Sequence, residues 1–256
     1  MTVATLPTTI ESEIYYPDTD GKPMAESDFQ RQYLTYFVEA LDLFFEADPN
    51  VYVSGNLLIY YQKGNPNVMV APDVFVVFGV EKKLRSSYKL WEEGQAPAVV
   101  IEIISPSTKR KDETEKLALY QNWDVKEYLL YDPTQKYLDP PLQGHWLNAE
   151  GQYEEMIGKW QDELFILESH VLGLELHQSE GKLRLFNPRT KEYIDSFSEQ
   201  AKARKAEARR ADFEAQRAET EAQRAETEAK ARAKAEAEIA RLRALLASLG
   251  IDQSAE

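Results

Sequence analysis

The sequence contains no cysteine. Disulfide scaffolds, cysteine-ligated zinc, iron–sulfur clusters and thiol nucleophiles are therefore excluded. No apolar run approaches the ~18 residues that a membrane-spanning helix needs, so a protein that spans the membrane is not expected. The first ten residues have neither a basic region nor an apolar core, and they do not resemble a secretory signal. We therefore expect a cytoplasmic protein.

Several common cofactor and catalytic motifs are also missing. The eleven glycines form neither GxGxxG nor GxxxxGK, so there is no dinucleotide-binding fingerprint and no P-loop. The sequence contains no GxSxG elbow and no HExxH helix. His145, His170 and His177 lack the spacing of metal ligands, and we interpret them as ordinary polar residues.

The charge is unevenly distributed along the chain. The net charge is -14, and all of the acidic excess lies in residues 1–195, because residues 196–256 are neutral overall. An acidic field repels nucleic acid unless a local basic patch or a bound cation offsets it, which argues against a protein that simply coats DNA. From the length and this change in composition we predict a globular domain over residues 1–195 and a tail over residues 196–256.

The tail has the composition of a long helix. Residues 196–249 contain no Pro or Gly, and AQRAETE occurs twice in succession. A 3-4 spacing, which predicts a coiled-coil seam, links Ala215, Ala218, Ala222, Ala225 and Ala229 and then Ile239, Leu242, Leu246 and Leu249. A solitary charged helix is the alternative, because pairs such as Arg217 and Glu221 are spaced i,i+4. We favour the coiled coil, and with it a homo-oligomer, and expect Gly250 to end the helix.

The globular part alternates strand and helix patterns. An amphipathic helix is predicted over residues 28–46, after a Ser27/Asp28 cap, with an aromatic face that includes Phe29 and Tyr33. A second helix is predicted over roughly 112–122. Strands are predicted over residues 51–61, 74–80, 98–104, 127–131, 143–147, 164–167 and 182–186. This mixture indicates an α/β sheet protein rather than a repetitive βαβ array.

Two carboxylates interrupt strands that are otherwise apolar. Asp73 lies in VMVAPDVFVVF, and Glu102 is the only charged residue in AVVIEIIS. A buried, unpaired carboxylate costs several kcal/mol, so each should face a cation or lie at an opening of the sheet. Asp73 and Glu102 therefore mark a candidate site.

The following helix supplies a cation for these carboxylates. Asp112, Lys116 and Tyr120 are spaced i, i+4, i+8 and share one helical face, so Lys116 can reach the carboxylate pair with Asp112 and Tyr120 as supporting residues. A basic run that could contact phosphate lies immediately before them, at Lys109, Arg110 and Lys111.

This set of residues suits phosphodiester hydrolysis. Two carboxylates provide hard oxygen ligands for Mg²⁺ or Mn²⁺, and a lysine can stabilise a phosphate or lower the pKa of an attacking water. A purely structural interpretation is also open, in which Asp73 is a solvated strand-start residue and Glu102 simply pairs with Lys116. Isolated carboxylates on strands are common, so spacing alone slightly favours that interpretation.

The stretches over residues 51–80 and 88–133 resemble the bacterial Uma-two family of restriction endonucleases, a branch of the PD-(D/E)XK nuclease superfamily. The resemblance runs from about residue 24 to residue 190, and the charged, alanine-rich tail also resembles members of that family. It implies a restriction-endonuclease-like mixed β-sheet core flanked by helices, with Mg²⁺ or Mn²⁺ as cofactor and DNA as substrate.

The resemblance also implies roles for individual residues. Pro72–Asp73 matches the PD element, Glu102 is the second acid, and the backbone carbonyl of Ile103 is a further metal ligand. The superfamily's lysine normally lies two residues after the second acid, where this sequence has Ile104, so the resemblance implies that Lys116 supplies the amine. We expect a Mg²⁺-dependent endodeoxyribonuclease. The alternative is a catalytically silent nuclease fold that recruits partners through its coiled coil.

Overall fold

The computed structural model describes residues 14–19, 21 and 27–248. The chain divides into two compact units, one ending at Phe197 and the other beginning at Ser198. None of the helices in the described ranges combines the length and the apolar character needed to cross a membrane.

The elements of the first unit are mostly short strands. The helical segments are α1 (Asp28–Phe44), α2 (Leu90–Glu93), α3 (Lys109–Lys111), a π-helical segment (Asp112–Lys116) and α4 (Leu117–Asn122). We call the continuous run over residues 109–122 the site helix, and its five-residue middle part the π segment. The strands are β1 (Val51–Ser54), β2 (Ile59–Tyr60), β3 (Met69–Val70), β4 (Val74–Phe78), β5 (Tyr88–Lys89), β6 (Val99–Ile103), β7 (Glu127–Tyr131), β8 (Leu142–Leu147), β9 (Tyr153–Glu155), β10 (Lys159–Gln161), β11 (Leu164–Ser169), β12 (Leu174–Ser179), β13 (Lys182–Asn187) and β14 (Glu192–Tyr193).

A six-stranded mixed sheet forms the centre of this unit, in the order β1-β4-β6-β7-β8-β9. Its neighbouring strands pair antiparallel except β6 and β7, which are parallel and are connected through the site helix. A five-stranded sheet (β10 to β14) and a small sheet in the order β3-β2-β5 complete the unit. The predicted mixed sheet flanked by helices is confirmed.

Side chains alternate between the two faces along each strand of the central sheet, so alternate residues pack into different apolar clusters. Both faces of the sheet are therefore covered. Val74 and Val76 pack in a cluster with α1 and the five-stranded sheet. Phe75 and Val77 pack in a second cluster with Tyr120 of the site helix. The sequences of β4 and β6 are therefore almost entirely apolar, and a charged side chain within either strand faces a packed interior.

Helix α1 begins as predicted, because the Ser27 side chain accepts a hydrogen bond from the Gln30 N–H at 3.1 Å. The buried face starts at Tyr33 and continues through Leu41. The prediction that Phe29 lies on this face is wrong: its side chain is 53% exposed. Phe29 lies in the first turn, one turn before the buried face begins.

The single strand predicted over residues 51–61 is also wrong. The chain forms β1 in the central sheet and β2 in the small sheet, and the break falls at Gly55 and Asn56. A Cβ at Gly55 would lie 2.4 Å from the Asp73 carbonyl oxygen, and Asn56 has a positive φ of 51° and donates its N–H to the Pro72 carbonyl at 2.9 Å. The close approach of two backbones breaks the strand here.

Helix α5 spans Phe197–Ser248, forms the described part of the second unit and confirms the predicted long helix. The side chains of the proposed seam are exposed or half-buried, with Leu242 53% exposed. Leu249 and Gly250, where the seam and the helix were predicted to end, lie outside the described residues.

Candidate active site

The two predicted carboxylates meet where β4 begins and β6 ends, within the central sheet. Val74 pairs with Ile101 across the antiparallel strands β4 and β6, so Asp73 comes directly opposite Glu102. The Asp73 N–H donates to Glu102 Oε2 at 3.3 Å, and the Ile103 N–H donates to Asp73 Oδ2 at 2.7 Å. Both side chains are buried, Glu102 to within 1% of complete burial. Strand pairing alone thus holds the two acids side by side.

The site helix places its predicted face against Glu102. The Lys116 Nζ lies 2.8 Å from Glu102 Oε2 and 2.9 Å from Asp112 Oδ1. The Tyr120 hydroxyl donates to Glu102 Oε1 at 2.9 Å. Ile104, at the position where the superfamily has its lysine, is buried in the apolar cluster. The structure therefore brings Asp112, Lys116 and Tyr120 together around Glu102.

The charges of this cluster are held in a poorly solvated environment. Burial raises the pKa of Glu102 to about 8, even though Lys116 acts in the opposite direction, and Asp73 and Asp112 raise this pKa further. Burial also raises the pKa of Asp73, although the hydrogen bond from the Ile103 N–H stabilises the ionised form and acts to lower this pKa. Burial acts to lower the pKa of Lys116, but Glu102 and Asp112 outweigh it and raise that pKa above its ordinary value. Lys116 is therefore an ammonium ion at neutral pH.

The carboxylates of this cluster are of the ligand type that a hard divalent cation takes. Glu102 Oε2 and Asp112 Oδ1 lie 2.8 and 2.9 Å from the Lys116 amine, and Asp73 lies beside Glu102 on the neighbouring strand. Carboxylate oxygens are the ligands that Mg²⁺ prefers, and Mg²⁺ commonly uses one or two of them and retains several waters. In residues 14–19, 21 and 27–248, no three His, Cys, Asp or Glu side chains converge to hold a metal. A bound ion would thus rely on two carboxylates, a backbone oxygen and water.

The three basic residues at the start of the site helix differ in their exposure and in their contacts. Lys109 is half-buried, donates to the Tyr137 carbonyl at 2.7 Å and lies 3.6 Å from Glu113 Oε1. Arg110 and Lys111 are exposed. Lys109 is thus engaged by the protein, and Arg110 and Lys111 are the members of the run that present charge to solvent.

Three residues that support the site were not predicted. Gln30 donates from α1 to Asp73 Oδ1 at 3.3 Å, and Gly55 allows the close approach to the Asp73 backbone. The Tyr128 hydroxyl donates to the Asp112 carbonyl at 3.0 Å. A glycine inside a strand pattern is a known signal of close backbone approach, so Gly55 could have been found. Gln30 and Tyr128 are distant in sequence and give no such signal.

Comparison with known proteins assigns a family. The Uma2 family model, described as "Putative restriction endonuclease", matches residues 6–179. A solved structure described as "a putative nuclease belonging to DUF820 from Anabaena variabilis ATCC 29413" is similar at 15% identity, over 54% of this chain and 74% of that chain, with a TM-score of 0.36. No curated protein matches the chain. Because the family match covers more than half of its length, the chain belongs to the Uma2 family.

Proposed function

We propose that this chain is a Mg²⁺- or Mn²⁺-dependent endonuclease that hydrolyses DNA phosphodiester bonds. The observation that carries the proposal is the cluster of Asp73, Glu102 and Lys116: two buried carboxylates lie side by side on adjacent strands, and the Lys116 Nζ lies 2.8 Å from Glu102 Oε2. Burying carboxylates in this way is costly, and perturbed groups of this kind concentrate at functional sites. Membership of a restriction endonuclease family supports the same reaction class.

Asp73 and Glu102 would hold the metal ion, with the backbone carbonyl of Ile103 as a further ligand. The ion, when bound, would stabilise charge on the phosphate and make a water more acidic. Gln30 and the Ile103 N–H hold the two oxygens of Asp73, and Tyr120 fixes one oxygen of Glu102. These contacts keep the carboxylates aligned before any ligand arrives.

Lys116 would act as a fixed positive charge rather than as a base. Its pKa is raised by Glu102 and Asp112, so the amine carries its proton at neutral pH and can donate to a phosphate oxygen. Asp112 holds the amine in place through the 2.9 Å ion pair. Arg110 and Lys111, with Lys109 beside them, would attract the DNA backbone and offset the acidic field of the domain locally.

The C-terminal helix would pair two copies of the chain. Ile239 and Leu242 of the predicted seam are each about half exposed, and burying them against a second copy would remove apolar surface from water. Two sites brought to one duplex could cut both strands. This coiled coil is the partner interaction that we propose in addition to DNA.

A second candidate is a catalytically silent nuclease fold that recruits partners through α5. The observation that favours it is Ile104 in place of the superfamily's lysine, together with a Lys116 amine already engaged by Glu102 and Asp112. Metal dependence separates the two functions, because a scaffold has no reason to bind Mn²⁺ at Asp73 and Glu102.

Nicking of supercoiled plasmid tests the enzymatic proposal. We expect the full chain to nick with Mg²⁺ or Mn²⁺ and not with EDTA, and Asp73→Ala to abolish nicking. Glu115→Ala is the matched control, because Glu115 is an exposed acid on the site helix and its loss changes the net charge equally. Equal nicking by Asp73→Ala and the full chain, or nicking that survives EDTA, would refute the proposal.

A further inference from the structure

The π segment aligns the residues of the site helix that face Glu102. A regular α-helix has 3.6 residues per turn, so four residues overshoot one turn by about 40° and eight residues by about 80°. A π-helical turn bonds i to i+5 and needs more residues per turn, so four residues fall short of a full turn. The step from Asp112 to Lys116 is π-helical, whereas the step from Lys116 to Tyr120 runs into α4. The two deviations are opposite in sign, so the three side chains stay on one face of the helix: Lys116 and Tyr120 contact Glu102, and Asp112 contacts Lys116.

Two hydroxyl groups donate hydrogen bonds to backbone carbonyls in the π segment or in the turn before it. The Thr114 hydroxyl donates to the Arg110 carbonyl at 2.6 Å, and the Tyr128 hydroxyl donates from β7 to the Asp112 carbonyl at 3.0 Å. Side chains that insert into the backbone ladder are recognised causes of helix deformation. Tyr128 is fully buried, and its ring packs edge-on against Tyr120 at 5.1 Å. The hydroxyl is therefore held firmly at the carbonyl it contacts.

We propose that Tyr128 and Thr114 are positioning residues whose hydroxyls maintain the π segment and so hold Lys116 between Asp112 and Glu102. Both hydroxyls contact backbone carbonyls rather than the side chains of the site. Without them the turn would relax toward regular α-helix, and Asp112 and Lys116 would rotate relative to Glu102. The consequence for catalysis rests on the proposed nuclease function, but the consequence for the geometry of Lys116 does not.

Conservative variants with matched controls isolate each hydroxyl. Tyr128→Phe keeps the ring and removes the hydroxyl, and Tyr153→Phe is its control. The Tyr153 ring stacks on Tyr128 with 6.4 Å between the ring centroids, and the Tyr153 hydroxyl is buried without a hydrogen-bond partner among the described residues. Thr114→Val keeps the branched shape of the side chain. Its control is Thr220→Val, because the Thr220 hydroxyl makes the same i−4 bond, to Gln216 at 2.8 Å, within α5.

The primary readout is the ammonium resonance of Lys116, recorded by NMR on the full chain labelled with ¹⁵N-lysine and assigned with Lys116→Met. We expect Tyr128→Phe and Thr114→Val to shift this resonance while both controls leave it unchanged. In the same variants we expect nicking to fall by about 10–100-fold, the usual effect of losing a supporting contact.

An unchanged Lys116 resonance in the folded test variants would overturn the proposal. An equal shift in a test variant and its control would do the same, because the effect would then be one of general packing. If Tyr128→Phe does not fold, Thr114→Val and its control still decide the matter. If the unmodified chain does not nick DNA at all, the proposed function fails, while the resonance still tests the positioning role independently.

Discussion

Lys116→Met removes an ammonium group that contacts both Glu102 and Asp112. The Met side chain keeps much of the volume of the lysine stem, so the change is mainly one of charge. Lys116 is 9% exposed and its two partners are each 1% exposed, so water cannot replace the lost cation. Removing one partner of a buried ion pair costs about 3–5 kcal/mol, and we expect a loss of unfolding free energy in that range.

The loss should depend on pH in a defined direction. Without Lys116, Glu102 can reduce the cost by taking up a proton, and this protonation becomes easier as the pH falls. At pH 9 Glu102 is ionised in the unfolded chain, so keeping its carboxyl in the folded site without a cation costs more. The destabilisation of Lys116→Met should therefore be larger at pH 9 than at pH 6.

Urea unfolding followed by tryptophan fluorescence measures this effect in the first unit alone, because all four tryptophans precede Phe197. Lys111→Met is the control, since Lys111 is exposed and its replacement should change the unfolding free energy by no more than about 0.5 kcal/mol. Nicking by Lys116→Met should fall by orders of magnitude while Mn²⁺ binding is retained. If Lys116→Met matches Lys111→Met in both stability and nicking, Lys116 is neither the counter-ion nor part of the site.

Three further predictions concern the acid, the glycine and the tail. The pKa of Glu102 is raised to about 8, so the stability that its proton binding contributes is complete below about pH 4.5 and is lost as the pH rises to about 8. The unfolding free energy of the unmodified chain minus that of Glu102→Gln should therefore fall over this pH window. A difference that stays flat would contradict the raised pKa. Gly55→Ala would place a Cβ 2.4 Å from the Asp73 carbonyl oxygen and should cost about 1–3 kcal/mol in urea unfolding and lower nicking, whereas unchanged stability would show that the two backbones can separate freely. Leu242→Asp with Leu246→Asp should lower the sedimenting mass and convert double-strand cutting into nicking, and a chain that is already monomeric would rule out the coiled coil.

The acids and the lysine of the site could be predicted because their signals are local. Asp73 and Glu102 stand out as charges within apolar strands, and the helical spacing of Asp112, Lys116 and Tyr120 fixes their common face. Burial then leaves few arrangements in which these charges are compensated. The structure places all five residues in one connected cluster.

The remaining features depend on contacts between distant segments. Gln30 reaches Asp73 from a helix 43 residues earlier in the chain, and no local pattern indicates that contact. The two-residue strands β2, β3 and β5 are too short to show a periodicity of two. The π segment likewise leaves no compositional mark, because it is maintained partly by the Tyr128 hydroxyl from a neighbouring strand.

The central claim is that Asp73 and Glu102 form a metal site, and calorimetric titration with Mn²⁺ tests it most directly. The account predicts that the full chain and the control Glu115→Ala bind Mn²⁺ alike, and that Asp73→Ala and Glu102→Ala bind it much more weakly. Asp73→Ala should be at least as stable as the unmodified chain without metal, because it removes one of two carboxylates that repel each other. Glu102→Ala also breaks the ion pair with Lys116 and should be less stable but folded. Equal Mn²⁺ affinity in the unmodified chain, Asp73→Ala and Glu102→Ala would contradict the account.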